Sequence, residues 1–241
     1  MKTKYDLTLG KCSVVGVIGS LVDLNYAFTL PIIPDQGTGA IDMLEIRPDK
    51  VEVPFTNDKF LRLQRLNRPF IYTPRDVSEG GGRSDWSIKD RRKLYLESLQ
   101  YAALIDIEAS KLNELKEIIA EAKRRGVGVI VSSHDFSGTP TYAQMIALAE
   151  RCAMFGGDIL KFAVNIRDIG DLSELTDAVY AIRQNYPFKV SSMGTEAPFG
   201  SYYRMIDAHA GSPLIYGYLV KQTSSGQIKA SRIKSLLTEL K

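Results

Sequence analysis

The sequence predicts a single (β/α)8 barrel, and three observations carry that expectation. Eight short, apolar, β-rich runs alternate with amphipathic helical patterns along the whole chain. The length of 241 residues matches the roughly 250 over which such a barrel closes as one domain. Polar and ionisable residues gather just past the ends of six of the eight strands, the end where barrel enzymes place their chemistry.

The first strand is expected over residues 12–18. Lys2, Lys4 and Lys11 precede this apolar run, as in a secretory leader. However, Asp6 interrupts the basic stretch, Gly16 and Gly19 break the apolar one, and no small-residue cleavage site follows. A buried first strand is the better reading, and no stretch is long enough to span a membrane. Between Gly19 and Gly39 the chain reads as a loop, with a short helical stretch around residues 22–27 followed by Pro31 and Pro34. The remaining strands are expected over 40–46, 69–73, 104–107, 127–132, 159–163, 188–192 and 214–218. Between them, apolar residues at three- and four-residue spacing predict helices over 58–66, 88–101, 110–125, 142–155, 172–185 and 229–240. Ser110 and Thr139 fit as N-caps, and Gly126 as the glycine that follows a helix end. Eight βα repeats favour a closed parallel barrel over an open sheet. No linker or low-complexity tract divides the chain, so one catalytic domain over residues 1–241 is expected.

Composition excludes several function classes. Apolar residues make up 44% and charged residues 24%, ordinary values for a globular domain. Net charge is +3 with the two signs interspersed, so no stripe for nucleic acid is expected. Lys123-Arg124-Arg125 sits where a helix ends, a place that favours cations. Cys12 and Cys152 form neither a disulfide framework nor a metal cluster and read as reduced thiols of a cytoplasmic protein.

Lys161 is the most informative residue, because it lies inside the apolar strand 159–163. Burial disfavours the ammonium form, and a neutral amine can attack a ketone to give an imine. Two plainer roles fit the position equally: a lysine snorkelling at the strand edge, or a buried ion pair with Glu45 or Asp106. His134 follows the strand 127–132 at the predicted barrel mouth, beside the Lys161 strand, where it can move protons. Its plainer role is that of a hydrogen-bonded polar residue, and His209 is read only that way. Arg47, Arg75 and Arg204 approach the same mouth from separate strands. Together they point to an anionic substrate, or to salt bridges with Glu45, Glu79 or Asp106.

Taken in order, these residues resemble the type I 3-dehydroquinate dehydratases of the shikimate pathway. The resemblance runs from about Ile41 to the C-terminus. It rests on Glu45-x-Arg47-x-Asp49, Arg75-x-x-x-Glu79-Gly80-Gly81, Ser133-His134-Asp135-Phe136, Asp158-x-x-Lys161-x-Ala163, Ser192-Met193-Gly194, Gly211-Ser212 and Gly226-Gln227. It implies that Lys161 forms a Schiff base with 3-dehydroquinate, that His134 is the general acid/base, and that Glu79 works with the histidine. It implies that Arg204 clamps the substrate carboxylate and that Glu45, Arg47 and Arg75 contact the rest of the substrate. Thr223, in place of a serine common in the family, and Gln227 belong to a lid loop. It further implies no metal or organic cofactor, a homodimer and a cytoplasmic location. The segment from Thr195 to Tyr203, read as a loop ahead of Arg204, is longer than the family usually has. Another class I Schiff-base barrel enzyme, an aldolase or transaldolase type acting on a keto sugar, is the alternative. It would call for a glycine-rich phosphate site after strands seven and eight, which Gly194, Gly211 and Gly217 do not compose.

Overall fold

The computed structural model describes residues 12–32 and 41–239. Eight parallel strands follow one another in chain order: β1 (Ser13–Ile18), β2 (Met43–Ile46), β3 (Phe70–Tyr72), β4 (Leu104–Glu108), β5 (Gly128–Asp135), β6 (Ile159–Val164), β7 (Lys189–Gly194) and β8 (Leu214–Tyr218). The ladder runs β7-β6-β5-β4-β3-β2-β1-β8, and a two-residue strand, β9 (Ile228–Lys229), extends it beside β8. Strands β7 and β8 come side by side and close the curl, although no backbone ladder joins them among the described residues. Side chains stitch that seam instead: the Ser191 hydroxyl donates to the Leu214 carbonyl at 2.8 Å. The architecture is thus an α/β, TIM-barrel-like fold. No helix among the described residues is long and apolar enough to cross a membrane.

The helices are α1 (Leu21–Ala27), α2 (Asn57–Gln64), α3 (Ile88–Ser98), α4 (Lys116–Arg124), α5 (Tyr142–Met154), α6 (Ile169–Asn185), α7 (Phe199–His209) and α8 (Ala230–Glu239). Several sequence expectations need correction. The helix expected over 110–125 is broken: Ala109–Lys111 is a single 3-10 turn and α4 begins only at Lys116. Ser110 caps no helix, and its hydroxyl goes to Glu79. Thr139 does not cap α5; Thr141 does, in a reciprocal capping box with Gln144, while the Thr139 hydroxyl donates to the Asn165 carbonyl at 3.1 Å. The segment 195–203 is not all loop, since α7 starts at Phe199. Its buried face mixes Gly200, Arg204 and Asp207 with Tyr203 and Ala208, so the apolar stripe that would announce it is interrupted. Ala40, Pro34, the residues before Cys12 and the end of the last expected helix lie outside the described residues.

Two cores follow from the period-2 alternation of the strands. Outward-facing residues such as Val14, Leu44, Tyr72, Ile105, Val131 and Leu160 pack against the helices in a large cluster. Inward-facing Val15, Met43, Ile71, Leu104, Ile130, Ile159 and Leu214 fill the barrel floor as a separate cluster. Two residues further along the same inward faces stand Glu45, Thr73, Asp106, Ser132, Lys161 and Tyr216, all buried. The interior therefore changes from hydrocarbon at the N-terminal ends of the strands to charge at the C-terminal ends.

Candidate active site

A cavity of about 210 Å³ opens at the C-terminal ends of the strands. Glu45, Arg47, Arg75, Glu79, His134, Lys161, Arg204, Thr223 and Gln227 all line it. The backbone register makes part of this unavoidable. Ser132 pairs with Lys161 and His134 with Ala163 across β5 and β6, so histidine and lysine project from adjacent strands one step apart.

Lys161 is buried, its side chain only 4% exposed, and its Nζ contacts the Asp106 carboxylate, with Glu45 Oε1 3.9 Å away. The buried ion pair entertained from sequence is therefore present. Asp106 also receives Arg75 Nη2 at 2.9 Å and the Ser132 hydroxyl at 2.6 Å. Burial alone pushes the Asp106 carboxyl up, but Arg75, Lys161 and the hydrogen bonds from Lys161 and Ser132 outweigh it and hold it down at about 2. The network continues outward: Arg75 Nη1 donates to Glu108 Oε1 at 3.1 Å and to Ser132 Oγ at 2.7 Å, and Glu108 is shared with Arg91. Thr73 donates to Glu45 Oε1 at 2.9 Å and fixes the carboxylate oxygen that stands 3.9 Å from the lysine. Of the arginine salt bridges expected with Glu45, Glu79 or Asp106, only Arg75–Asp106 forms among the described residues. Arg47 instead holds Asp49 through two bonds of 2.7 and 2.9 Å.

His134 Nδ1 lies 2.9 Å from Glu79 Oε2, and the His134 backbone N–H donates to the same oxygen at 3.1 Å. Ser110 supplies the other Glu79 oxygen with a donor at 2.9 Å. Burial pushes the Glu79 carboxyl up. Burial, together with the cations Arg75, Lys161 and Arg47, pushes the imidazole well below its ordinary 6.5, so it is neutral at pH 7. A neutral ring whose Nδ1–H donates to a carboxylate has its lone pair on Nε2. Glu79 closes the 3-10 turn Val77–Glu79, and Gly80 follows at φ +84°. A side chain at Gly81 would sit 2.3 Å from the Arg75 carbonyl, so glycine is required where the chain doubles back to aim Glu79 at His134.

Arg204 projects from α7 toward the β7–β8 seam. Its Nε donates to the Gly194 carbonyl at 2.9 Å and its Nη1 to the Tyr216 carbonyl at 3.3 Å. No described carboxylate lies within ion-pairing range of it, and burial pushes its guanidinium down to about 10, still protonated at neutral pH. The cavity is covered by residues 223–227, where the Thr223 N–H and hydroxyl both donate to Gln227 Oε1 at 2.9 Å. This cover is held by the segment before α7: Gly226 N–H and the Ser224 hydroxyl both donate to the Thr195 carbonyl, at 3.0 and 2.9 Å.

Sequence reasoning missed several lining residues. Lys50, Phe136, Met193, Thr195 and Tyr216 all face the cavity. Asp106 was weighed only as an ion-pair partner for Lys161 or an arginine, yet it organises both Lys161 and Arg75 at once. Its signal was a carboxylate at the third position of an apolar strand, as conspicuous as the lysine. No group of three or more His, Cys, Asp or Glu among the described residues could hold a metal ion. Two of the glycines weighed for a phosphate loop serve packing, since a side chain at Gly194 would meet Gly200 and one at Gly217 would meet Ala230, whereas Gly211 meets nothing and serves a turn at φ +104°.

Residues 29–241 match the family model described as Type I 3-dehydroquinase. The chain is similar to the 3-dehydroquinate dehydratase of Bacillus subtilis (strain 168), 30% identical over 222 residues that cover 89% of this chain and 85% of that protein. It is similar to the 3-dehydroquinate dehydratase of Methanosarcina mazei, 31% identical over 217 residues, 83% and 86% of the two chains. Among solved structures, the 3-dehydroquinate dehydratase from Geobacillus kaustophilus HTA426 shares the fold with a TM-score of 0.81 at 21% identity, covering 95% of this chain and 91% of that one. With the match spanning all but the first βα unit, this chain belongs to the type I 3-dehydroquinase family.

Proposed function

We propose that this chain dehydrates 3-dehydroquinate through an imine on Lys161, with His134 transferring the protons. The observation that carries the reading is the buried amine of Lys161 opening on the same cavity as a neutral histidine. Arg204, lacking a carboxylate partner among the described residues, receives the substrate carboxylate and orients the ring. The Lys161 ammonium gives a proton to Nε2 of His134, the freed amine adds to the ketone, and the imidazolium returns that proton as the oxygen leaves as water, giving an iminium. The iminium carries the same positive charge as the resting ammonium, in the same place. Asp106 therefore stabilises it without reorganising, which is the electrostatic economy of a pre-set site. Nε2 of His134 takes the proton from the carbon next to the iminium, and the C–H electrons move into an enamine. The enamine expels the hydroxyl one carbon further on, with a proton returned from the imidazolium. Water then hydrolyses the conjugated imine and releases the amine. Glu79 steadies the imidazolium that forms midway. Glu45, Arg47 and Arg75 face the remaining hydroxyls, and Thr223 and Gln227 close the cavity. The cytoplasmic location and the homodimer belong to the same reading, and light scattering of the purified protein checks the dimer.

Borohydride reduction in the presence of 3-dehydroquinate, followed by a peptide map, tests the mechanism. A reduced adduct on Lys161 is expected, and Lys161→Ala is expected to fold but not turn over. Wild-type turnover with no adduct, or an active Lys161→Ala protein, overturns the lysine chemistry.

A further inference from the structure

Tyr216 stands on the inward face of β8, fully within the barrel at 3% exposure, and lines the cavity. Its hydroxyl is one of two buried side-chain polar atoms without a hydrogen-bond partner among the described residues. The other, Arg183 Nε, belongs to a guanidinium whose remaining nitrogens bond Asp207 and two carbonyls. Lys161 Nζ lies over the Tyr216 ring, 4.8 Å from its centroid. The ring thus lies against the amine that any group bonded to Lys161 would extend, and it carries a hydroxyl whose hydrogen-bonding capacity is unused. Burial, with Glu45 and Asp106 nearby, pushes the phenol well above its ordinary 10, so it keeps its proton and is available as a donor. A buried hydroxyl left unpaired is costly in the free protein. Such a group persists in a native interior when a ligand completes it.

We propose that Tyr216 is a substrate-positioning and specificity-determining residue, its hydroxyl donating a hydrogen bond to an acceptor oxygen of the substrate held on Lys161. This rests on the lysine reading above and deepens it. The donor favours substrates with an oxygen at that point of the ring and disfavours deoxy analogues, because these leave the buried phenol without its acceptor. The phenol forms no covalent bond and changes no charge in the reaction.

The test is Tyr216→Phe, which removes one oxygen and keeps the ring under Lys161. Two opposite effects are expected together. The ligand-free protein melts about 2–4 °C higher, because an unpaired buried hydroxyl is gone. Meanwhile kcat/KM for 3-dehydroquinate falls about tenfold, the scale of one hydrogen bond to substrate. A structural hydroxyl would move both in the same direction. A Tyr216→Phe protein with kcat/KM within twofold of wild type, or with a lower melting temperature, overturns the proposal. Borohydride trapping in the same pair separates the two readings. Adducts on both proteins with equal kcat/KM overturn the Tyr216 role alone, whereas an inactive wild type without adduct overturns both.

Discussion

Asp106→Asn strikes the centre of the buried network. The carboxylate is fully buried and faces two cations, Lys161 and Arg75. Asparagine keeps the shape and leaves both cations facing an amide. Breaking a buried pair by removing one partner costs about 3–5 kcal/mol. Here Glu108 still serves Arg75 and Glu45 stands 3.9 Å from Lys161, which favours the lower end, about 3 kcal/mol. For a chain of this size that lowers the melting temperature by roughly 6–12 °C. The pH dependence supplies an independent handle. The Asp106 carboxyl is held at about 2, against 3.8 for an ordinary aspartate. Because the folded value is depressed, its contribution is present above pH 3.8 and is lost as pH falls through 2. That displacement corresponds to about 2 kcal/mol. Urea unfolding of wild type and Asp106→Asn should therefore give a gap that is constant from pH 5 to 7 and narrows toward pH 2. Lys161→Met in the Asp106→Asn background should recover part of the loss, since it removes a cation left under-compensated, with a coupling of about 1–3 kcal/mol. Additive single mutants, or an Asp106→Asn protein within 1 kcal/mol of wild type, would refute the view that this carboxylate holds the two cations.

Arg204 and His134 give sharper functional tests. For Arg204→Met, the displacement of the guanidinium from 12.5 to about 10 marks a burial penalty of ~3 kcal/mol, which the loss of two carbonyl hydrogen bonds of about 1 kcal/mol each offsets in part. The variant should therefore melt no lower than wild type, yet show a KM raised about a hundredfold, the scale of a lost charged hydrogen-bond pair of ~3 kcal/mol. A melting temperature lower by more than about 6 °C would make Arg204 a structural brace of the β7–β8 seam. His134, held well below 6.5 by burial and neighbouring cations, works as a base only when neutral. A kcat/KM profile should therefore stay flat through pH 6.5 and fall only at distinctly lower pH. An acidic limb centred near 6.5 would contradict the neutral, Glu79-bonded imidazole.

The strands were legible because burial on both faces makes each one a short apolar run, and because charge inside such a run stands out. Lys161 in Ile159–Val164 is the clearest case. Legibility ended where the pattern was not apolar. The helix α7 turns Gly200, Arg204 and Asp207 inward beside Tyr203 and Ala208, so the buried face carries no continuous apolar stripe. The two-residue β9 is too short to carry a period. The break between the 3-10 turn and α4 follows from tertiary demand, since Ser110 turns aside to reach Glu79. Tyr216 was hidden for the opposite reason: a tyrosine inside an apolar strand reads as core, and only its unpaired hydroxyl reveals the cavity side. Thr141 rather than Thr139 caps α5 because only Thr141 has Gln144 three residues on to complete the box.

The pairing of charges inside the barrel bears on where the anionic group of the proposed substrate would settle. Arg47 has Asp49, Arg75 has Asp106 and Glu108, and Lys161 has Asp106 with Glu45 behind it. A carboxylate brought to any of these meets an opposing carboxylate first. Lys50 at the rim is only half-buried, where water screens it. Arg204 differs from all of them: it is buried, protonated and bonded only to carbonyls and a thioether. Bringing an anion there relieves a desolvated cation, and bringing the same anion to Lys161 forces it against Asp106. In the imine mechanism proposed above, the ketone would meet the reverse preference, because attack by Lys161 would leave the positive charge beside Asp106 unchanged. On that reading, carboxylate and keto carbon are drawn to different cations of one cavity by the placement of two aspartates and two glutamates. Selectivity for a keto acid of that polarity follows from electrostatics before any contact of shape is considered.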